Sequence, residues 1–328
     1  MITRRTVLDT LLGASAALLT TRARAEDASA WPSRNVRLIS SSPPAGASDI
    51  LTRTLGHELE VSLKQSFVVE NRAGGGGVIG TDAVAKAAPD GYTWLTTNVG
   101  PQAINATLLP SQPFDPRKDF RHVTIIGRLP VVMLINKDVP AKDLKEFVAL
   151  AKAKPGSLNF GSGGNGTLLH LTGELLKLAA DIKMQHVPYR GAQAATQDLI
   201  GGRIEAMFDS LPSAAPHIRA GAVRALAVSS AERSPTFREI PTIAEQGYPS
   251  VVTTNWFGFA GPRGVPEDIV TKFHAELARA LKLPAVIERF EQIGVQPGGD
   301  TPTVTQAFVL AEIERWAKVV KETGVTVN

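Results

Sequence analysis

The chain has 328 residues, of which 43% are hydrophobic, 20% charged and 6% aromatic, with 35 basic and 31 acidic side chains. That apolar share excludes wholesale disorder, and the length suits two domains, or one large one, with a full core. The absence of cysteine excludes disulfides, thiolate zinc sites, iron–sulfur clusters and cysteine nucleophiles.

The N-terminus reads as an export signal. Arg4 and Arg5 precede the apolar run 11–19 and the small-x-small step Ala23-Arg24-Ala25, with cleavage expected before Glu26. Nine residues make about 14 Å of helix, short of the roughly 30 Å of a hydrocarbon core. The twin arginines within residues 3–8 also fit a twin-arginine motif, so both the Sec and the twin-arginine routes stand. Residues 1–25 hold four arginines and one aspartate, which leaves 31 basic and 30 acidic side chains, a net +1, on the remainder. The positive charge therefore belongs largely to the targeting segment and argues for neither nucleic-acid nor anionic-membrane binding.

Beyond the signal, short apolar runs alternate with helix-period segments, the pattern of an α/β protein. Residues 36–39 read as a strand, followed by a small-residue loop through Ser48 and a helix with Leu51, Leu55, Leu59 and Leu63 on one face. Strand 67–69, helix 78–88 and strand 92–97 follow, the helix stopped by Pro89-Asp90-Gly91. Residues 123–126 and 131–136 read as two strands, with 127–130 between them as a domain crossing. A second cycle runs through helix 142–154, strand 158–160, helix 167–180, strand 184–188, helix 192–200, strand 206–210, helix 214–220 and strand 224–228. Strand 254–260 carries the chain back, and 267–282 and 303–321 are long amphipathic helices.

In open parallel sheets ligands bind beyond the carboxyl ends of strands, where helix N-termini present unpaired N–H groups. Three such junctions here are built of small or polar residues: 40–49, 161–167 and 189–192; a shorter fourth starts at Asn98. Small residues let a ligand approach the main chain, and exposed amides favour an anion. Arg190 is the attractive cation for an acidic ligand by guanidinium–carboxylate geometry, with a surface salt bridge as the competing reading. His170, one turn inside the helix opened by the second junction, either reaches a ligand or serves as a satisfied structural histidine.

Enzyme motifs fare poorly. Gly75–Gly80 satisfies G-x-G-x-x-G after a strand, but the positions near 100 lack the acid that a dinucleotide ribose needs, so a flexible turn is the better reading. No phosphate-binding G-x-x-x-x-G-K-[ST] occurs, and Phe160 stands where a nucleophile elbow at Ser162 would need glycine. The six histidines show no metal-binding spacing. A secreted hydrolase or isomerase would have Asp49, His170 and Asp209 as acid/base candidates.

Several runs, in order along the chain, together resemble the Bug-type receptors of tripartite tricarboxylate transporters. They are 43–50 (PPAGASDI), 69–77 (VENRAGGGG), 88–93 (APDGYT), 186–191 (HVPYRG), 198–202 (DLIGG), 207–209 (MFD) and 256–258 (WFG). The resemblance implies a periplasmic-binding-protein-like (type II) fold, with two α/β domains closing on a ligand cleft. It divides the chain into a signal at 1–25, a first domain of 26–127 with 256–328, and a second of 128–255. It implies a periplasmic, non-enzymatic receptor without cofactor or metal. The ligand would be a small di-, tricarboxylic, amino or aromatic acid, and the partner an integral-membrane permease or, failing that, a sensor kinase.

By the same resemblance one carboxylate is held by Ala45, Gly46, Ala47, Ser48 and Asp49 and by Tyr189, Arg190, Gly191 and Ala192. Ser162, Gly163, Asn165, Thr167 and His170, with Asn98 and Asp209, would line the rest of the cleft. Two departures bear on ligand identity. Ala45 stands where glycine is common, which strains a positive φ, and Gly163 stands where a serine hydroxyl is frequent.

Overall fold

A computed structural model describes residues 30–42, 44, 46–189 and 191–326. The export-signal reading lies outside these residues, as do Ala45 and Arg190.

The first apolar runs form a parallel trio, β1 (Val36–Ser40) between β2 (Phe67–Asn71) and β3 (Thr93–Asn98). Helix α1 (Ala47–Leu63) links β1 to β2 and buries Leu51, Leu55 and Leu59 completely, as their i+4 spacing requires. It stops at Lys64, a left-handed residue whose N–H returns to Glu60 O. Helix α2 (Val78–Ala85) leads to β3, from which a tight helical turn (Gly100–Ile104) runs into α3 (Asn105–Leu108).

The organising element is β4 (Phe120–Asn136), one continuous strand of 17 residues rather than the two short strands expected from the sequence. Its residues 120–130 pair antiparallel with β9 (Thr254–Pro262), and 131–136 pair with β7 (Ala206–Ser210) and β8 (Val223–Val228). The strand thus changes partners after Pro130, which has no N–H to give to a ladder. Gly127 permits close approach of the next layer: a Cβ there would collide with Val295, beside β10 (Gln296–Pro297), which pairs with β4.

The second half repeats the parallel motif through α4 (Leu144–Ala153), β5 (Leu158–Ser162), α5 (Leu168–Ala180), β6 (Met184–Pro188), α6 (Ala192–Ile200), β7, α7 (Leu211–Arg219) and β8. Strand β5 lies between β6 and β7, parallel to both. The full path is β2-β1-β3-β9-β4-β7-β5-β6, a lobe at each end meeting at β4 and β9.

Two main cores result. In the first lobe, α1, α8 (Glu267–Ala280) and α9 (Pro284–Gln292) cover Trp31, Trp94, Phe259 and Phe273, with Trp94 stacked on Phe273 at 4.3 Å. In the second, Met133, Ile135, Phe147, Phe160 and Phe208 share a cluster with Val309, Ile313 and Trp316 of α10 (Pro302–Thr323). That cluster also holds Val99, Ala103, Ile104 and Leu108, so the last helix packs against both halves of the chain. Trp256 of β9 and Trp316 of α10 both donate to Glu312 Oε2, each at 3.1 Å. Among the described residues no helix is long and apolar enough to cross a membrane.

Candidate functional site

Between the lobes lies a cavity of about 700 Å³. Ser42, Gly46–Ser48, Gly75, Gly76 and Asn98–Gly100 line it from the first lobe, and Asn165–Leu169, Ala192, Asp209, Ser210 and Ser213 from the second. The strands that join the lobes contribute Leu129 and Val131 of β4, and Asn255 and Phe257 of β9.

Three helices begin at this cavity without a side-chain cap: α1 at Gly46, α6 at Gly191 and α7 at Ser210. The first N–H groups of α1 and α6 are therefore donors that no capping side chain has taken, at the positive end of each helix dipole. Helix α7, by contrast, has Pro212 in its first turn and gives its Ser210 N–H to Asp209 Oδ1. Gly191 adopts φ +105 and ψ 154, a region essentially reserved for glycine. Helix α5 differs, because Thr167 caps it by accepting from the N–H of His170. Gly74, Gly75, Gly76 and Gly77 all have positive φ, so the run matching G-x-G-x-x-G opens as a tight turn that places the main chain of Gly75 and Gly76 against the cavity and closes inside α2 at Gly80.

Eight residues singled out from the sequence line the cavity: Gly46, Ala47, Ser48, Asn98, Asn165, Thr167, Ala192 and Asp209. Others are placed behind it. The carboxylate of Asp49 is held by Arg53 Nε at 3.0 Å and Asn71 Nδ2 at 2.8 Å. Ser162 is buried, its hydroxyl 2.7 Å from His186 Nε2. His170 Nδ1 accepts from the N–H of Gly166, and its ring stacks on His186 at 3.6 Å. The Tyr189 hydroxyl donates to Asp198 at 2.9 Å. Gly163 sits where a Cβ would come within 3.3 Å of the Ala192 amide nitrogen, so a side chain there would press on the start of α6.

The acid/base trio of the hydrolase reading is not gathered at the cavity, since only Asp209 lines it. Sequence reasoning passed over Gly75, Gly76, Asn105, Leu129, Val131, Ser213, Asn255 and Phe257. A signal was present for four of them. Leu129 and Val131, and likewise Asn255 and Phe257, are i, i+2 pairs that share one face of a crossing strand.

The electrostatics are unusual for an anion site. Among the described residues lining the cavity there is no lysine, arginine or histidine, and Asp209 is the one ionisable group. Asp209 is 2% exposed; its Oδ1 accepts from the Ser210 N–H at 2.7 Å, while Oδ2 has no partner among the described residues. Burial pushes its pKa up, opposed by the Ser210 N–H and the Ser213 hydroxyl. Behind the cavity, burial and then the neighbouring His170 lower the pKa of His186 to about 4. Among the described residues no group of three acidic or histidine side chains could hold a metal ion. Main-chain donors on several sides with one acceptor carboxylate suit binding of a small polar anion rather than covalent chemistry.

Comparison with known proteins agrees with that chemistry. Residues 51–325 match the family model described as tripartite tricarboxylate transporter family receptor. The chain is 40% identical to protein BugT of Bordetella pertussis over 298 residues, covering 90% of this chain and 91% of BugT. Among solved structures, Rpa4515 of R. palustris, determined with adipate, superposes with a TM-score of 0.80 at 36% identity. That match covers 90% of this chain and 99% of Rpa4515. MatC of Rhodopseudomonas palustris, with bound malate, gives a TM-score of 0.76 at 32% identity over 88% of this chain and 100% of MatC.

Proposed function

Since the chain belongs to the receptor family of tripartite tricarboxylate transporters, we propose that it is an exported periplasmic receptor that captures a small carboxylate and hands it to a membrane permease. The observation that carries this reading is the cavity between the lobes, at which α1, α6 and α7 begin uncapped and no cationic side chain of the described residues intrudes. The adipate and malate held by two of its structural relatives are acids of a fitting class.

In this reading one carboxylate of the ligand sits at the N-termini of α1 and α6, near Gly46–Ser48 and Ala192. Each hydrogen bond to a carboxylate contributes about 1.5–3 kcal/mol, and each helix terminus about 0.3–1 kcal/mol. A few such contacts, less the cost of association, suffice for micromolar affinity. Because α1 belongs to one lobe and α6 to the other, the full set of contacts exists only when the lobes are close together, so ligand shifts the population toward closure. The closed form docks on the permease, and the ligand leaves chemically unchanged.

The test is a thermal-shift screen of the purified protein against mono-, di- and tricarboxylates, with sugars, amines and metal ions as controls. A ligand at 100 times its Kd stabilises by about 2.7 kcal/mol. An acid that shifts the transition and is recovered intact supports the reading. Turnover of a bound acid, or stabilisation by sugars or amines alone, refutes it; mass spectrometry of the denatured protein identifies any acid carried through purification.

A further inference from the structure

We infer that Asp209 makes this cavity selective for acids whose far end carries a hydrogen-bond donor, an ammonium or a hydroxyl, over acids ending in a second carboxylate. The inference rests on the carboxylate-receptor reading and specifies its substrate class.

Asp209 stands one residue before the end of β7, opposite Val132 of β4, and lines the cavity with its side chain almost wholly buried. One carboxylate oxygen is satisfied by the Ser210 N–H, whereas Oδ2 has no donor in hydrogen-bond geometry among the described residues, the Ser213 hydroxyl being the one side-chain donor that acts on the carboxylate. An acceptor buried without a donor is costly, and more so when it is charged, so a ligand that supplies the donor recovers that cost on binding. A second, independent acceptor points the same way: Asn255 Oδ1, also buried and unpartnered, lines the same cavity opposite Leu129, three residues from Val132 along β4.

The arrangement has a polarity. Uncapped N–H groups at Gly46 and Gly191 suit an anion, and the orphan acceptors on the joining strands suit a donor. A diacid of matched length would bring a like charge to Asp209, with no cationic lining residue among those described to screen it. An ammonium there would form a charge-assisted hydrogen bond, and a hydroxyl a weaker one. Burial raises the pKa of Asp209, against the opposing Ser210 N–H, Ser213 hydroxyl and His217.

The experiment is calorimetric titration of the purified protein with matched probes. The sets are glutarate, 4-aminobutanoate and 4-hydroxybutanoate; adipate and 5-aminopentanoate; and terephthalate and 4-hydroxybenzoate. In whichever set binds, the donor-ended acid is expected to bind at least tenfold more tightly than its diacid. The Asp209→Asn variant, checked for folding by its thermal transition, is expected to lose that preference while binding the diacid as well as or better than the wild type. Equal or tighter binding of the diacid by the wild type overturns the inference and leaves the receptor reading intact. So does diacid binding that takes up a proton, read from titrations in two buffers of different ionisation enthalpy, because a protonated Asp209 would then itself be the donor. Failure of every acid in these sets, together with stabilisation by sugars or amines alone, overturns the receptor reading and this inference with it.

Discussion

His122 lies on β4, 2% exposed, and ties together three parts of the chain. Its Nδ1 is 3.0 Å from Gln306 Oε1 on α10, and its Nε2 is 3.0 Å from Gln102 Oε1 in the turn that follows Asn98. Burial lowers its pKa from 6.5 to about 4, against the opposing hydrogen bond to Gln306. With the folded pKa depressed, the unfolded chain binds more protons between these two values. The stabilising contribution is therefore present above pH 6.5 and is lost as pH falls toward 4. At 1.36 kcal/mol per unit, about 2 kcal/mol is lost between pH 7 and pH 5 and about 3 kcal/mol by pH 4. Urea unfolding of the wild type and His122→Asn at several pH values from 7 to 4.5 isolates this contribution, because the carboxylates and His186 titrate in both proteins. The stability gap between them is expected to close, or reverse, by about 2 kcal/mol between pH 7 and pH 5. Parallel curves would refute the assignment of a neutral, proton-averse His122.

Three further outcomes are expected. Glu312→Ala strands the buried indole N–H groups of Trp256 and Trp316 and should cost about 2–5 kcal/mol in denaturant unfolding; Glu312→Gln, which keeps an acceptor, should cost less. In Gly191→Ala the new Cβ meets nothing within 4 Å, so the loss of about 1–3 kcal/mol comes from the glycine-only backbone conformation alone, and an unchanged thermal transition would contradict it. Ala192→Trp puts a large side chain into the cavity wall and should abolish ligand-dependent stabilisation while leaving the unliganded transition in place; binding that survives would move the site elsewhere.

How much of this was legible in the sequence depended on how local each cause was. Leu51, Leu55 and Leu59 announce α1 because a single face carries all three. Helix α9 was passed over although Val286 and Phe290, at i, i+4, give it a buried face, because only Leu281–Leu283 separate it from α8. The Gly100–Leu108 stretch opens with Gly-Pro, which reads as a turn, yet proline is also at home in the first turn of a helix. β4 reads as two strands because Gly127 and Pro130 interrupt it, and only the tertiary partners at Val295 and β9 explain why the backbone stays extended there.

The site divides in the same way. The small-residue junctions were visible because a loop at a strand end needs no distant partner to be accessible. Asp49 was placed among the ligand contacts, although Arg53 one turn on is an i, i+4 partner readable from the sequence. The hydrogen bond of Tyr189 to Asp198 crosses from the end of β6 into α6. Ser162 and His186 meet across the β5–β6 pair. Those side chains are occupied by neighbours that only strand order brings close.

The cavity then poses a chemical question that residue type alone would answer wrongly. An anion receptor is ordinarily sought through its arginines and lysines, but the described lining here contains neither, and its one charge is negative. On the proposed reading the described donors for an acid are therefore main-chain ones, the N–H groups at the starts of α1 and α6, which the fold fixes. Such donors attract any carboxylate alike, because they read charge and little else. Discrimination is left to the groups that differ from this background: Asp209 and Asn255 as acceptors, and Leu129, Val131 and Phe257 as apolar surface. Of these, all but Asp209 sit on the two strands that join the lobes, and Asp209 is the direct neighbour of one of them. The far end of the ligand is consequently read by the same strands about which the lobes would close, so a poorly matched group there would oppose closure as well as lose its contact.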